Sequence, residues 1–451
     1  MKILLINPYQ IHLINKRGKI YNRVWPPLDL ANCGALLERD GHEVRIIDAN
    51  ALRLSPEQVA KESADFDKVF VSSSSLDRWQ CPNVDIAPFL EAVSQVRKYN
   101  DQVFVLGAHG TVRPRELIDL TQARAVIRGE PELTIREICD GKSMAEIRGL
   151  AFKENGSIKM TGEQEPLDLN DLPIPAFHLL PMNQYHYEVL GSHFTLLEGS
   201  RGCASNCVFC LLKMYGKGVR RKSIERLIAE IDDAVSHFGV RTAYFMDLEF
   251  TVFRKQVLEL CDYLSKKQYP FHWTCQTRFD LIDEELLGRM KRAGCRLIHF
   301  GVEAGTDDLL KSVNKKITIQ QIEKGIQMVH GAGIESACFF ILGFPDSGTD
   351  EIDATIRFAG RLNPTYALFH IAIPYPGTAL YDQLQNNDPA FHGGELFPEA
   401  CRQGRDLTEL KKTARRAYAG FYLRPRYMVS RLSKGELKSL YRQIKLLLAY
   451  L

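Results

Sequence analysis

The chain has 451 residues, 45% of them hydrophobic and 25% charged, with a formal net charge of +3. This composition describes a globular protein and excludes collagen-like, low-complexity and polycationic chains; the length exceeds one ordinary core, so two or three domains are expected. No run of about 18 apolar residues suggests a spanning helix, and eleven cysteines scattered over this length do not form a disulfide framework, which points to a reducing, cytoplasmic setting.

In chain order, the opening Met-Lys-Ile-Leu-Leu-Ile-Asn7-Pro8 is apolar for only a few positions and has no small-residue cleavage site. It reads as a first strand rather than a secretory signal. Strands are expected at 3–6, 44–47, 68–72, 103–106 and 125–127, with helices near 28–40, 55–63, 86–99 and 114–119. Alternation of β and α at this spacing predicts an α/β, Rossmann-like (flavodoxin-like) doubly wound domain over residues 1–145, with ligand loops at the strand C-termini. The first such loop is the sharp Asn7-Pro8 turn. The third is Ser72-Ser-Ser-Ser75-Leu76 and the fourth Gly107-Ala-His109-Gly110-Thr111. Small residues there let a backbone approach a bulky ligand.

Residues 146–190 read as an interdomain linker. The stretches 149–153 and 158–160 flank Asn155-Gly156 and predict a β-hairpin. The prolines of Leu172-Pro-Ile-Pro-Ala-Phe-His-Leu-Leu-Pro181 cannot continue a helix or a central strand, so this piece is expected to lie extended along the surface.

Residues 191–380 alternate strand and helix again. Strands are expected at 194–197, 242–247, 271–277, 297–302, 336–342 and 366–373, which predicts a partial (β/α)6 barrel of the TIM type with its chemistry at the strand C-termini. After the first strand comes Cys203-Ala-Ser-Asn-Cys207-Val-Phe-Cys210. Three thiolates on one loop can hold three corners of a cubane iron–sulfur cluster and leave the fourth iron open for a substrate or cofactor. Zinc would want a fourth thiolate or imidazole, usually in a second C-x2-C or a His pair, and none follows. A disulfide would leave one thiol over. Cys261, Cys275, Cys295 and Cys338 are expected to pack as small apolar residues.

The C-x3-C-x2-C spacing resembles the signature of the radical S-adenosylmethionine (SAM) superfamily. The patterns Trp25-Pro-Pro-Leu-Asp-Leu, Leu36-Leu-Glu-Arg-Asp-Gly-His42, Asp48-Ala-Asn50, Ser74-Ser-Leu76, Gly107-Ala-His109-Gly110 and Arg128-Gly129-Glu130-Pro-Glu132 resemble the cobalamin-binding domain fused to many of those enzymes. Together they are similar to the class B radical SAM methyltransferases, over about residues 1–380. The resemblance implies a 4Fe-4S cluster on Cys203, Cys207 and Cys210, with Tyr375 at the substrate mouth. It implies SAM contacts from Phe209 at the adenine, Asp247 or Glu249 at the ammonium, Gln276 at the next strand end, Arg278 at the SAM carboxylate or a substrate anion, Glu303 near the ribose or amine, and the Gly343 turn at the base. For cobalamin it implies Asn7, Ser74, Leu76, Gly107, His109, Gly110, Gly129 and Glu130, with Arg78 and Trp79 near the lower corrin face. A bulky side chain there would exclude a lower ligand; the alternative for Trp79 is packing between domains. The D-x-H-x-x-G motif is missing around His12, which implies that no histidine of the domain ligates cobalt.

The activity implied is methylation of an unactivated carbon. One SAM would methylate cobalamin, a second would yield a 5'-deoxyadenosyl radical that takes a substrate hydrogen, and methylcobalamin would deliver the methyl group. A non-methylating enzyme, forming a ring, rearranging a skeleton or coupling two carbons, is the alternative. A low-potential electron donor of flavodoxin or ferredoxin type and a small-molecule or lipid-like substrate are the implied partners. Nucleic acid is not expected, because a second set of cluster cysteines and an RNA-binding appendage are not evident. Residues 401–451 carry 13 Lys and Arg against 3 Asp and Glu, so the extension 381–451 is a basic, helical unit, with helices expected over 400–418 and 433–451. Its apolar stripe either packs on the barrel or lies peripherally on an anionic membrane surface.

Overall fold

The computed structural model describes all residues except 10–12, 15–19, 22, 217, 346, 388–390, 392–406, 426 and 430–451. The first sheet begins with β1 (Lys2–Asn7), β2 (Glu43–Asp48), β3 (Lys68–Ser72), β4 (Val103–Leu106) and β5 (Ala125–Ile127), all parallel, in the order β2-β1-β3-β4-β5. These are short apolar runs because both faces are covered. Along β1, Ile3 and Leu5 feed one core while Leu4 and Ile6 feed the other. The strand order reverses between β1 and β3, so the crevice outside their C-termini, at Asn7 and Ser72, is where such a sheet takes a ligand.

The hairpin formed by β6 (Leu150–Glu154) and β7 (Ser157–Met160) turns at Asn155 and Gly156, both at positive φ, as its Asn-Gly requires. It is not part of a free linker. β6 pairs antiparallel with β5, so the first sheet has seven strands and runs past position 145 to Met160. The proline-rich segment also departs from expectation. Leu172, Ala176, Phe177 and Leu180 are buried, the Ala176 N–H donates to the Ala31 carbonyl at 3.1 Å, and Phe177 meets Phe238 edge-on. The prolines supply a bent wedge, and its apolar residues drive it inward between helices α1 (Leu28–Arg39) and α3 (Ile224–Phe238); α2 (Pro131–Cys139) follows β5.

The second sheet contains β8 (Phe194–Leu197), β11 (Thr242–Phe245), β12 (His272–Thr277), β13 (Cys295–Glu303), β14 (Glu335–Leu342) and β15 (Tyr366–Ile371), parallel and in chain order. Between β8 and β11, a separate antiparallel pair, β9 (Ser200–Gly202) and β10 (Val219–Arg221), carries the cysteine loop. This is the open six-unit barrel expected. Its β15 edge is covered by α4 (Leu407–Tyr422): the Ala367 and Phe369 N–H groups donate to the hydroxyls of Tyr422 and Tyr418, each at 3.1 Å. The described part of the basic extension therefore packs on the barrel and satisfies an exposed strand edge. The second expected tail helix lies outside the described residues. Among the described residues no helix is long and apolar enough to cross a membrane.

Candidate active site

The cysteine loop leaves β9 and returns in β10, and Gly202 makes the pairing possible. It has φ +98°, and a Cβ there would stand 2.1 Å from the Gly218 carbonyl oxygen. Cys203, Cys207 and Cys210 are half-buried, while every other described cysteine except Cys81 is buried; all are free thiols. Burial pushes the Cys203 thiol up to about 11 and raises Cys210 further, where the Cys203 and Cys207 sulfurs add to the effect. The three sulfurs are thus within electrostatic reach of one another. Among the described residues no three His, Cys, Asp or Glu side chains converge tightly enough for a single metal ion. Three unpaired thiols spread along one loop fit a multi-iron cluster instead, and binding would have to displace their protons.

Around Cys207 the strand ends bring together Lys315, Glu303, Arg278 and Glu249. Glu303, at φ +67° on an irregularity in β13, accepts from Lys315 Nζ at 2.8 Å. Arg278 forks onto Asp280 (both at 2.9 Å) and donates to Ser205 Oγ and the Lys315 carbonyl; Ser205 in turn donates to Glu249 at 2.6 Å. Two cationic and two anionic side chains beside the cluster loop match an amino-acid zwitterion. Phe209 rests against Phe344 with ring centroids 5.5 Å apart. Gln276 is half-buried and accepts from the Tyr244 hydroxyl.

Three of the expected residues are committed elsewhere. Asp247 is enclosed, accepting from the Gly199 N–H at 2.8 Å and the Ser200 hydroxyl at 2.6 Å, and burial pushes its carboxyl up to about 7. It braces the entry to β9 through both carboxylate oxygens. Gly343 is covered by Leu410 of α4, 2.9 Å from where its Cβ would be, so it docks the extension. The buried Tyr375 hydroxyl donates to the Pro82 carbonyl at 3.1 Å, bridging the end of the barrel to the first domain rather than standing free as a reacting group.

On the first domain, the serine and glycine loops are zipped together. The Ala108 N–H donates to Ser74 Oγ at 2.8 Å, and at Gly107 (φ +107°) a Cβ would meet Ser73 Oγ at 2.6 Å. Among the described residues, the buried Asn7 Oδ1 and Ser72 Oγ at the switch point have no hydrogen-bond partner. Gly129, at φ +79°, faces open space. Orphaned polar atoms and an open glycine at the strand C-termini fit a large polar cofactor there. His109 does not line that space. It is fully buried, with Nδ1 3.0 Å from Ser73 Oγ and Nε2 2.8 Å from the Asn83 carbonyl; burial lowers it to about 4. Gly110 packs on Val126, and the Leu76 N–H donates to buried Asp29 at 3.2 Å, so both shape the loops from behind. Trp79 is fully buried against Tyr215 and Arg201 of the barrel, the contacts that its interdomain-packing reading expects. Glu130 is taken by Arg201 and Arg220 of the barrel. Arg78 stays partly open, beside Asp77 and within electrostatic reach of Cys81 and Tyr375. His12 lies outside the described residues.

Sequence reasoning missed several residues here. Lys315 lies in a loop with no motif of its own. Cys81, exposed and within electrostatic reach of Cys210, comes from the other domain. Inward positions of the barrel strands carry Tyr244, His299, Phe339 and His370, with successive ring contacts of 4.9, 5.6 and 5.7 Å. Burial lowers His299 to about 3 and His370 to about 4, with nearby arginines adding to it. His370 keeps an accessible face at the end of this row of rings. The strand alternation was the signal that could have found this wall.

The family model described as Radical SAM superfamily matches residues 197–359, and the B12 binding domain model matches residues 21–139. The chain is 32% identical to the protein named uncharacterized methyltransferase PH0819 of Pyrococcus horikoshii, over 95% of this chain and 94% of that one. It is 26% identical to the anaerobic magnesium-protoporphyrin IX monomethyl ester cyclase of Rubrivivax gelatinosus, over 93% and 77% of the two chains. Among solved structures it is similar in fold to the radical SAM methyltransferase TsrM of Kitasatospora setae, with TM-score 0.67 and 18% identity over 85% of this chain and 76% of that one. Cluster-type cysteine loop, charged strand ends and switch-point crevice thus occur in one chain with both matched domains, and the protein belongs to the cobalamin-dependent radical SAM enzymes, of the methyltransferase type.

Proposed function

We propose that the enzyme methylates an unactivated carbon of a small-molecule or lipid-like substrate held between the barrel lumen and the cobalamin domain. The observation that carries this reading is proximity. Cys210 of the cluster loop is within electrostatic reach of Cys81, and Tyr375 bonds Pro82, so the cluster loop, the end of the barrel and the chain following the serine loop lie close together. The methyltransferase name of the relative matched over nearly its whole length supports it. When bound, the cluster with SAM and cobalamin supplies the hydrogen-abstracting radical and the methyl group.

The chain's own residues bind, orient and exclude water. Glu249, Arg278, Glu303 and Lys315 hold the SAM zwitterion beside Cys207, and Phe209 with Phe344 offers the adenine an aromatic face. Asn7, Ser72, Ser74, Gly107 and Gly129 frame the cobalamin crevice, with Arg78 at its barrel-facing rim. His299 and His370 stay neutral at physiological pH, so the lumen wall presents rings and hydrogen-bonding nitrogens without adding charge. A flavodoxin- or ferredoxin-type donor supplies electrons in the cytoplasm. The excess of Lys and Arg in residues 401–451 supports peripheral contact with anionic lipid in addition to the packing of α4; absence of binding in liposome flotation would remove that element.

The test is anaerobic turnover of the reconstituted enzyme with trideuteromethyl-SAM and small-molecule and lipid extracts. S-adenosylhomocysteine and 5'-deoxyadenosine should form in similar amounts, together with a product heavier by one labelled methyl group. Continuing 5'-deoxyadenosine formation without S-adenosylhomocysteine selects a ring-forming or rearranging enzyme, the reading favoured by the similarity to the cyclase.

A further inference from the structure

One buried charge cluster spans the two cofactor domains. Arg201 lies in β9, two residues before Cys203, and its side chain is fully buried. Nε and Nη2 fork onto Glu198 at 2.8 and 2.9 Å. Nη1 crosses to the first domain, donating to Glu130 Oε2 at 3.1 Å and standing 2.9 Å from Glu132 Oε1 as an ion pair outside hydrogen-bonding geometry. The guanidinium also lies over the Trp79 ring, 5.3 Å from its centroid. Arg220, opposite Arg201 across the β9–β10 pair, adds a second guanidinium to Glu130. Burial opposes the Arg201 charge, but Glu132, Glu198 and Glu130 outweigh it and hold the side chain firmly cationic.

Each far end of the cluster belongs to a cofactor loop. Glu130 directly follows Gly129, the open glycine of the last strand-to-helix turn. Trp79 directly follows the short turn Leu76–Arg78 that closes the serine loop. Glu132 stands near enough to Asp29, which receives the Leu76 N–H, for its like charge to raise the Asp29 carboxyl. The buried contacts of Arg201, two residues before the first cluster cysteine, therefore reach Glu130 beside Gly129 and Trp79 beside the serine loop. A salt bridge placed only for stability has no need to end on both loops, and the equally buried Lys222–Glu230 pair stays within the barrel domain.

We propose that Arg201 is a positioning residue that fixes the spacing between the cluster and the corrin. Hydrogen abstraction and methyl delivery must reach one substrate carbon from two cofactors, and errors near 1 Å in such placement cost roughly a hundredfold in rate. A planar five-donor fork suits this task, because it fixes angles as well as distance, which a lysine cannot do. The inference rests on the two cofactors and not on the methylation reading.

The test uses the full-length protein carrying the reduced cluster and cob(II)alamin, without substrate. Magnetic coupling between the two paramagnets, read as splitting and broadening of the cobalt EPR signal, reports their separation. The wild type should show one well-defined coupling. Arg201→Lys and Arg201→Gln should bind both cofactors yet show a shifted or broadened coupling, while Glu230→Gln, of comparable thermal destabilisation, keeps the wild-type spectrum. A wild-type coupling in both Arg201 variants overturns the proposal. Should those variants fail to hold the cluster, Glu132→Gln reads the same link from the cobalamin side: a broadened coupling supports the proposal and an unchanged one overturns it.

Discussion

At the scale of single residues, the site is a division between side chains that face ligands and side chains that hold those in place. Asp29 belongs to the second kind. Burial pushes its carboxyl up to about 7 despite the Leu76 N–H, with Glu132 and Asp77 adding to the rise. A carboxyl raised in the folded state stabilises most below its unfolded value near 4, and that stability is lost as pH rises toward 7. Asp29→Asn keeps the Oδ1 acceptor and cannot ionise, so its stability should fall less than that of the wild type between pH 4 and 7, by on the order of a few kcal/mol. Thermal melts of both proteins across that range check this. Lys315 belongs to the first kind: Lys315→Met leaves Glu303 buried without its partner and should weaken SAM binding to the cluster-loaded enzyme by tenfold or more, as equilibrium dialysis would show. The cysteines were legible because three identical soft ligands at fixed spacing have few other uses. For Glu130, Trp79, Asp247 and His109, motif position said that a residue is near a cofactor, not which way its side chain is engaged. Buried against Arg201, Tyr215, Ser200 and Asn83, they serve the site from behind.

At the scale of elements, strands and helices followed the sequence closely, because apolar runs with period two and capped amphipathic stretches are local signals. The elements that departed were decided by partners distant in sequence. The Asn155-Gly156 hairpin was visible, but not that β5 offers it an open edge. The prolines showed that residues 172–181 would be irregular, but not that Phe177 would find Phe238. The β9–β10 pair is an element whose geometry depends on one atom's absence. Gly202→Ala combines positive φ, costing about 1–3 kcal/mol, with a contact no Cβ tolerates, so the pair should separate. Iron content and cluster absorbance after reconstitution should drop to a small fraction of wild type, while cobalamin retention changes little.

At the scale of the whole molecule, two sheets each present a candidate cofactor site at their strand C-termini, and a buried interface of charges and aromatic rings joins them. Since the serine and glycine loops are held by bonds within the first domain, the Cys203→Ala, Cys207→Ala, Cys210→Ala triple variant should lose iron yet still bind cobalamin, measured by its visible spectrum after gel filtration. Loss of both would show that the cobalamin crevice forms only around a loaded cluster. The sequence by itself determined the two domains, their fold classes and the open-iron cysteine loop, because spacing, periodicity and turn chemistry act over short stretches of chain. Tertiary structure alone decided which carboxylates brace the interface, that α4 closes the barrel edge, and that His299 and His370 join one row of rings across the barrel strands. Those outcomes depend on burial and on partners tens to hundreds of residues away, and a local pattern carries no record of either.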